Sequence, residues 1–356
     1  MKVGIVTLIG NNYGGMLQAY ALNTVLRKEK CNVEVLNYNN LNRNEKNIKN
    51  TIKKIVYLKR NRKFDEFRRK YIDMTDKIYD ISEYKNKYDV YIAGSDQIWN
   101  QQIPWEQRKY FFLNFVEGKK RVAYAASIGR NKIEEKEKKK ISYLLEKFDD
   151  ISIREKTGVS LYQPLISKKI ENVLDPTLLL TRKEWDKIAR NNQEKNNDYV
   201  FSYTLGASKD VIKKIDELSG LLKKRIIEIS YKRNYKNEEK NVNDAGPSEF
   251  VGLMKSSNYV LTNSFHGMVF AIIYGKQFLV FTRGNMNSRI FDLLEILDLR
   301  DRVIDLEKDS DIEIEKKMNT KIDYNEVYKI LDQEKQKSLK FLEQALEIKE
   351  WKIGQE

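Results

Sequence analysis

The segment KVGIVTLIGNNYGGMLQAYALNTVLRKEK, Lys2 to Lys30, decides the fold class. Its first seven residues form a short apolar run, which is typical of a buried strand, and a turn rich in glycine and asparagine follows. From Met16 onward the apolar residues recur with the 3.6-residue period of a helix. A strand that leads through a tight turn into a helix predicts the first half of a β-α-β unit.

The same alternation continues through the first half of the chain. Short apolar runs predict strands at 32–38, from 88 to a break at Gly94, at 120–127 and at 150–155. Helical periodicity covers 51–71 and about 132–147. Strands separated by helices predict a mostly parallel sheet.

A second series begins after 189–198, a polar stretch that is a candidate linker. Strands are predicted at 198–205, 224–230, 258–262 and 276–281, and helices from Ser208, over 247–257, from Gly267 and over 288–297. A last helix is predicted from about Tyr324 to Trp351.

The whole pattern predicts an α/β fold with two Rossmann-like domains facing a cleft, and a chain of 356 residues is long enough for two. The expected limits are 1–190 for the N-terminal domain and 198–322 for the C-terminal domain, with a bracing helix in 323–356. In open parallel sheets ligands bind outside the carboxyl ends of the strands, so the residues that follow the strands are the site candidates.

Composition narrows the function classes. One cysteine excludes an intramolecular disulfide, and one histidine with one cysteine disfavours a zinc site, so no metal is expected. No apolar stretch approaches the roughly 20 residues that span a bilayer, and the N-terminus lacks the features of a signal peptide. We therefore expect a cytoplasmic protein.

Half of the net charge of +14 comes from one segment, Thr51 to Tyr71, which has nine Lys or Arg residues and two acids. It is either the solvated face of an amphipathic helix or a surface for an anionic partner. A peripheral contact with an anionic membrane, at its inner face, is one such use. Nucleic acid is disfavoured because no helix-turn-helix, zinc-finger or RNA-recognition motif is present.

Two polar clusters follow strands of the first half. Asn11, Asn12 and Gln18 belong to the first glycine-rich turn and its helix, where backbone amides favour an anion. This turn matches neither the dinucleotide fingerprint nor the P-loop, so no nucleotide cofactor is expected. Ser95, Asp96 and Gln97 follow the strand that ends before Gly94, where they line a ligand site or where the aspartate caps a short helix.

The third cluster is TNSFHGM, residues 262–268, which contains Asn263, Ser264, His266 and Gly267. His266 is the only histidine of the chain, and imidazole is the usual acid–base group near neutral pH. The start of the following helix favours an anion beside it. The alternative interpretation is a buried core histidine.

Three charged residues complete the candidate substrate-binding set. Arg154 and Glu155 end a predicted strand, and Arg289 opens a predicted helix. A guanidinium donates two parallel hydrogen bonds to a phosphate or carboxylate, which makes both arginines candidate anion clamps. The alternative for each is a structural ion pair.

The order of the motifs resembles the polysaccharide pyruvyl transferase family over about residues 1–305. The supporting segments are GNNYGGMLQAYAL, YDVYIAGSDQIWN, ISIRE, VLDPTLLL, GPSEFVGLMKSSNYVLTNSFHG and KQFLVF, of which GSDQIWN and TNSFHG are the most specific. The resemblance implies a fold similar to B-type glycosyltransferases. It also implies phosphoenolpyruvate as co-substrate, no cofactor, and transfer of its pyruvyl carbons to two hydroxyls of a glycan or lipid-linked sugar, giving a pyruvate ketal in surface polysaccharide synthesis.

The resemblance also implies roles for single residues. His266 matches the histidine of the family and would contact phosphate or act as acid or base. Asp96 would be a base or a ligand of a sugar hydroxyl, and Arg154 a cation near the substrate. Many members have an arginine two residues before that histidine, where this chain has Ser264. Others have an acidic residue in the first glycine-rich turn, where this chain has GGML. For the arginine missing at Ser264 there are two alternatives: Arg289 or a lysine replaces its charge, or the donor differs.

Two other functions remain open at this stage. One is a glycosyltransferase of the same fold that uses a nucleotide sugar, and the other is a non-catalytic basic protein that binds a membrane surface. The sequence does not predict the oligomeric state or the acceptor sugar.

Overall fold

The structure is a computed structural model that describes residues 1–38, 51–190, 198–230, 242–282 and 288–348. Most of the candidate linker, residues 191–197, lies outside the described residues, as do residues 349–351 of the predicted last helix.

The described residues form parallel strands connected mainly by helices. The strands are β1 Lys2–Val6, β2 Asn32–Val35, β3 Val90–Ala93, β4 Lys120–Ala126, β5 Asp150–Ile153, β6 Ile170–Asn172, β7 Tyr199–Thr204, β8 Arg225–Ser230, β9 Tyr259–Thr262, β10 Gln277–Phe281 and β11 Val303–Ile304. The helices are α1 Tyr13–Lys28, α2 Thr51–Tyr71, α3 Trp105–Phe111, α4 Glu135–Leu145, α5 Lys156–Tyr162, α6 Arg182–Asp186, α7 Lys209–Leu221, α8 Pro247–Ser256, α9 Phe265–Ile273, α10 Ser288–Ile296, α11 Asp311–Asn319 and α12 Tyr324–Leu346.

The first compact unit contains the described residues 1–38, 68–180 and 330–348. Its six strands form one sheet in the order β2-β1-β3-β4-β5-β6, and every neighbouring pair is parallel. Strand β2 lies on one side of β1, and β3 with the later strands lies on the other side. The carboxyl ends of β1 and β3 therefore form the switch point, the place where open α/β sheets bind ligands. Strand β3 is buried along its whole length, as a parallel strand covered on both faces must be.

The second compact unit contains the described residues 51–67, 181–190, 198–230, 242–282 and 288–329. Its sheet has the order β11-β10-β9-β7-β8 and is also parallel throughout. Strand β8 lies on one side of β7, and β9 with the later strands lies on the other side. The carboxyl ends of β7 and β9 therefore form the switch point of this sheet.

The predicted α/β class with two parallel sheets is confirmed, because buried parallel strands and amphipathic helices leave clear periodic patterns. Helix α9 begins at Phe265, two residues before the predicted start, since Ser264 caps it. The short elements β6, β11, α3, α5, α6 and α11 were not predicted. They have between two and nine residues, which is too few for a periodic signal.

The boundary between the two compact units falls within two helices of the chain. Residues 51–67 of α2 belong to the second unit and the remainder to the first, and α12 belongs to the second unit up to Lys329. Between Leu180 and Thr181 the chain passes from the first unit to the second.

Within the described ranges, no helix combines the length and the apolar character needed to cross a membrane.

Candidate functional site

Buried hydroxyl and amide groups join β1, β3 and α1 at the switch point of the first sheet. Thr7 Oγ1 donates a hydrogen bond to the carbonyl of Ser95 at 2.7 Å. Gln18 Nε2 donates to Thr7 Oγ1 and to the carbonyl of Gly15, each at 2.9 Å. Gln18, a predicted substrate-binding residue, is fully buried. In this conformation its amide holds the start of α1 against the strand ends.

The backbone of Asp96 has a positive φ of 75°, which is uncommon for a residue other than glycine. Two hydrogen bonds hold this conformation: the Asp96 carbonyl accepts from Ile98 N at 2.7 Å and from Ser127 N at 3.1 Å. A conformation that costs energy persists where the surrounding structure fixes it, and such positions cluster at functional sites. The backbone of Asp96 is therefore fixed directly after the carboxyl end of β3.

The carboxylate of Asp96 lies against the first turn of α1. A Cβ atom on Gly15 would lie 3.2 Å from Asp96 Oδ2 and 3.0 Å from the carbonyl oxygen of Leu8, so the absence of a side chain at Gly15 permits this approach. The positive end of a helix stabilises an anion. The side chain of Asp96 is 15% exposed, which leaves it in reach of a ligand.

Arg154 lies in a buried cluster with three carboxylates. Its Nη1 donates to Asp175 Oδ2 at 2.5 Å, its Nη2 lies 3.4 Å from Asp96 Oδ1, and its Nε lies 3.9 Å from Glu155 Oε2. Burial lowers the pKa of the guanidinium, but the attraction of the three carboxylates outweighs it and the pKa is raised. With its side chain 1% exposed, Arg154 contacts protein carboxylates in this conformation and holds Asp96 in place.

Asp175 is the residue of this cluster that sequence reasoning missed. Its Oδ2 accepts from Ser95 Oγ at 2.8 Å, and its Oδ1 accepts from Thr177 N at 3.0 Å and Thr177 Oγ1 at 2.6 Å. It therefore caps the short 3-10 helix that begins at Pro176. An aspartate directly before a proline, in VLDPTLLL, is a pattern that favours a helix start, and this was the available signal.

Glu155 fixes the loop that follows β4. Its Oε1 accepts hydrogen bonds from Ser127 Oγ at 3.0 Å, Ile128 N at 2.7 Å and Gly129 N at 3.2 Å. Gln97 is directed toward the same loop, because a Cβ atom on Gly129 would lie 2.3 Å from Gln97 Oε1. Both predicted substrate-binding residues are thus placed at the carboxyl edge of the first sheet.

The two asparagines of the first turn have separate contacts. Asn12 is the N-cap of α1, and its Oδ1 accepts from Gly15 N at 3.1 Å. Asn11 Oδ1 accepts from Arg68 Nη2 at 2.6 Å. Both side chains are partly exposed at the switch point.

At the switch point of the second sheet, Asn263 follows β9 and bonds to the backbone that follows β7. Its Oδ1 accepts from Leu205 N at 2.7 Å and its Nδ2 donates to the carbonyl of Leu205 at 3.3 Å. Thr262 Oγ1 donates to the carbonyl of Tyr203 at 2.5 Å and accepts from Ser264 N at 3.0 Å. These bonds hold the end of β9 beside the end of β7 and fix where α9 begins.

Helix α9 starts directly at this strand end. Ser264 is its N-cap, with Oγ accepting from Gly267 N at 3.4 Å. A Cβ atom on Gly267 would lie 2.3 Å from Thr262 Oγ1, which explains the glycine after the histidine as a close approach of helix and strand. His266 lies in the first turn and is 6% exposed. Its ring packs edge to face on Phe265, with centroids 5.1 Å apart.

Arg289 is the predicted cation that the structure brings to this turn. Its guanidinium carbon lies 5.8 Å from the ring centroid of Phe265, the first residue of α9. That distance is within the range of a cation–π contact. The first turn of α9 therefore has a capped N-terminus, an imidazole and an adjacent guanidinium, which together suit a phosphate or carboxylate group.

The predicted site residues thus form two sets, one at the carboxyl edge of each sheet. The set of the first unit consists of Asn11, Asn12, Gln18, Ser95, Asp96, Gln97, Arg154 and Glu155, and that of the second unit of Asn263, Ser264, His266, Gly267 and Arg289. No group of three or more His, Cys, Asp or Glu residues suited to a metal ion occurs in the part of the chain that the structure describes.

Comparison with known proteins gives a family match over most of the chain. A family model described as polysaccharide pyruvyl transferase matches residues 12–285, most of the chain. No curated protein matches the chain.

Two solved structures share the fold at low sequence identity, and a third is a weaker match. A putative UDP-N-acetylglucosamine 2-epimerase from Listeria monocytogenes has a TM-score of 0.52 and 10% identity, over 98% of both chains. The S. aureus MnaA–UDP co-structure has a TM-score of 0.52 and 12% identity, over 98% of this chain and 96% of that one. Thermobaculum terrenum O-GlcNAc transferase has a TM-score of 0.46 and 11% identity, and the match covers 96% of this chain but 63% of that one.

Proposed function

The chain belongs to the polysaccharide pyruvyl transferase family, and we propose that it transfers the pyruvyl group of phosphoenolpyruvate to two hydroxyls of a glycan or lipid-linked sugar. The product would be a pyruvate ketal of a surface polysaccharide or its precursor. The likeness to UDP-sugar enzymes is one of fold, and it gives no specific support to a nucleotide-sugar donor.

The first turn of α9 is the observation that carries the proposal. Phosphoenolpyruvate has a carboxylate and a phosphate, and both are anions that a helix N-terminus and a guanidinium bind well. His266 lies in this turn. The guanidinium of Arg289 contacts the ring of Phe265, the first residue of the turn. We assign the donor to this turn, with Arg289 in the role of the arginine that many relatives have at the position of Ser264.

The reaction balances without a redox step. A proton adds to the methylene carbon of phosphoenolpyruvate, which becomes a methyl group, and positive charge develops at the adjacent carbon. The first sugar hydroxyl bonds to that carbon and loses its proton to a base. The second hydroxyl then bonds to the same carbon while the C–O bond to phosphate breaks, and its proton leaves with the phosphate. The chain needs to supply a proton donor, a base and anion-binding groups.

Asp96 suits the role of base or hydroxyl ligand on the acceptor. Its carboxylate is fixed by Arg154 and by the first turn of α1, yet it is the carboxylate of that cluster with the most exposed side chain. A fixed carboxylate loses little entropy when it binds a hydroxyl, which is the general advantage of a preorganised group. Arg154 acts here as a positioning residue.

We expect the purified protein to release phosphate from phosphoenolpyruvate only when a suitable sugar acceptor is present. With ¹⁸O in the bridging position of the donor, the label should appear in the phosphate, because the proposed path breaks the C–O bond. Mass spectrometry of the phosphate and the sugar measures both products. Label retained in pyruvate, or stabilisation of the protein by UDP-sugars and not by phosphoenolpyruvate in a thermal-shift assay, would reverse the assignment.

Replacement of Arg289 with glutamine is expected to raise the KM for phosphoenolpyruvate by about 10- to 100-fold, since a charge-assisted hydrogen bond contributes about 1.5–3 kcal/mol. Arg289→Lys should recover only part of the loss, because an ammonium group cannot form the forked pair. Steady-state kinetics with varied donor measures the effect.

Arg300 provides a matched control for that experiment. Its guanidinium carbon lies 4.6 Å from the ring centroid of Phe291, so it makes a similar aromatic contact at an exposed position. Arg300→Gln should leave the KM unchanged. Equal effects of Arg289→Gln and Arg300→Gln would count against a donor contact of Arg289.

A further inference from the structure

Helix α2 exposes two adjacent large apolar side chains. Tyr57 is 43% exposed and Leu58 is 56% exposed. Among the residues whose side-chain exposure the structure describes, which begin at Tyr57 in this helix, seven large apolar side chains are this exposed, and this pair is the one set of direct neighbours. Exposed apolar side chains beside several cations are the combination that an interfacial helix presents to a lipid surface.

The positions of the buried and exposed residues define an outer face on this helix. Arg60, Phe64 and Phe67, spaced by four and three residues, are buried. The opposite side of the helix is exposed. Its residues are also spaced by three or four positions: Leu58, Arg62, Asp65 and Arg69. We call the exposed residues of α2 the outer face; Tyr57, Lys59 and Lys70 flank this row and are also exposed.

Cations dominate the outer face. The helix exposes four cations on this face, Lys59, Arg62, Arg69 and Lys70. Two acids oppose them: Asp65 is exposed and Glu66 is partly exposed. Arg62 pairs with Glu66 at 3.0 Å as an i,i+4 contact, which is weak at a surface.

Lys63 is not part of the outer face. Its ammonium group lies 3.5 Å from a carboxylate oxygen of Asp244 and 3.9 Å from one of Glu249.

We propose that the outer face of α2 docks the protein on an anionic lipid surface. The cations would attract the anionic headgroups, and Leu58 and Tyr57 would enter the boundary between headgroups and acyl chains. A nucleic acid would use the cations but would gain little from an exposed leucine, so the apolar pair favours lipid. The docking is a property separate from the transfer reaction and does not rest on it.

Vesicle flotation tests the proposal without any activity measurement. The full chain is mixed with vesicles of phosphatidylcholine that contain about one-third phosphatidylglycerol. Each cation near such a surface strengthens binding about five-fold, so the variant with Lys59, Arg62, Arg69 and Lys70 all changed to glutamine should bind about 600-fold more weakly. Leu58→Asn alone should weaken binding several-fold. Circular dichroism confirms that the variants keep their helix content.

A second lysine-rich segment supplies the matched control. Lys132, Lys136, Lys139 and Lys140 are exposed at and before α4, and their replacement with glutamine changes the net charge by the same amount. This control should keep most of the binding. Equal loss in both four-residue variants, equal binding to pure phosphatidylcholine, or binding to a DNA oligonucleotide but not to vesicles would overturn the proposal.

Discussion

Replacement of His266 with alanine is expected to lower the phosphoenolpyruvate-dependent turnover by about 10²- to 10⁴-fold, the usual contribution of one acid–base group. The side chain lies in the first turn of α9, where the helix start and Arg289 favour the donor anion. No second imidazole exists in the chain to replace it. Phosphate release with the acceptor in excess measures the effect.

A glutamine at this position separates two roles of His266. Glutamine can donate a hydrogen bond to phosphate but cannot transfer a proton near neutral pH. If His266→Gln recovers much of the activity that His266→Ala loses, the imidazole contacts phosphate; if both are equally inactive, it transfers a proton. Full activity of the alanine variant, with an unchanged melting temperature, would exclude both roles.

The single histidine also permits a direct binding test. Isotope labelling of histidine gives signals from one imidazole, so any ligand-induced change in the NMR spectrum of that ring reports on the first turn of α9 alone. We expect phosphoenolpyruvate and inorganic phosphate to shift these signals. A shift caused by a UDP-sugar, with none from phosphoenolpyruvate, would favour the glycosyltransferase alternative.

The fold was largely predictable because its signals are local. The apolar run of β1, the turn at Asn12 and the helix that follows specify a β-α unit within 30 residues, and the same pattern recurs through both sheets. The strand ends then follow from the sheet type, which is why Asp96 and His266 could be chosen as candidates. The start of α9 was placed two residues late, since a serine N-cap was not distinguished from a loop residue.

The contacts within the site were less predictable because they join distant parts of the chain. Asp175 bonds to Ser95 across 80 residues and to Arg154 across 21. No periodic pattern reports such a pairing. The positive φ of Asp96 and the close approach at Gly267 depend on packing at a strand end, which no periodic pattern of the sequence encodes.

Arg154→Met is expected to lower the free energy of unfolding by about 3–5 kcal/mol, the usual cost of removing one partner from a buried ion pair. Typical domains have only about 5–15 kcal/mol in total. Asp175 and Glu155, whose side chains are 0% and 1% exposed, would lose their buried cation. The three carboxylates would lose the one guanidinium that they share, so removal of the arginine should cost more than removal of any single acid.

Chemical denaturation of two variants and their double variant distinguishes this effect from a loss of packing. Asp175→Asn keeps an oxygen that can cap Thr177 and reduces the negative charge around Arg154, so its cost should be smaller. If the pair is the cause, the double variant Arg154→Met, Asp175→Asn is less destabilised than the sum of the single variants. Arg62→Met, at an exposed pair with Glu66, is the matched control and should cost under about 0.5 kcal/mol. Additive costs in the cycle would mean that Arg154 and Asp175 do not stabilise the first unit as an ion pair, and that Arg154 contributes by packing.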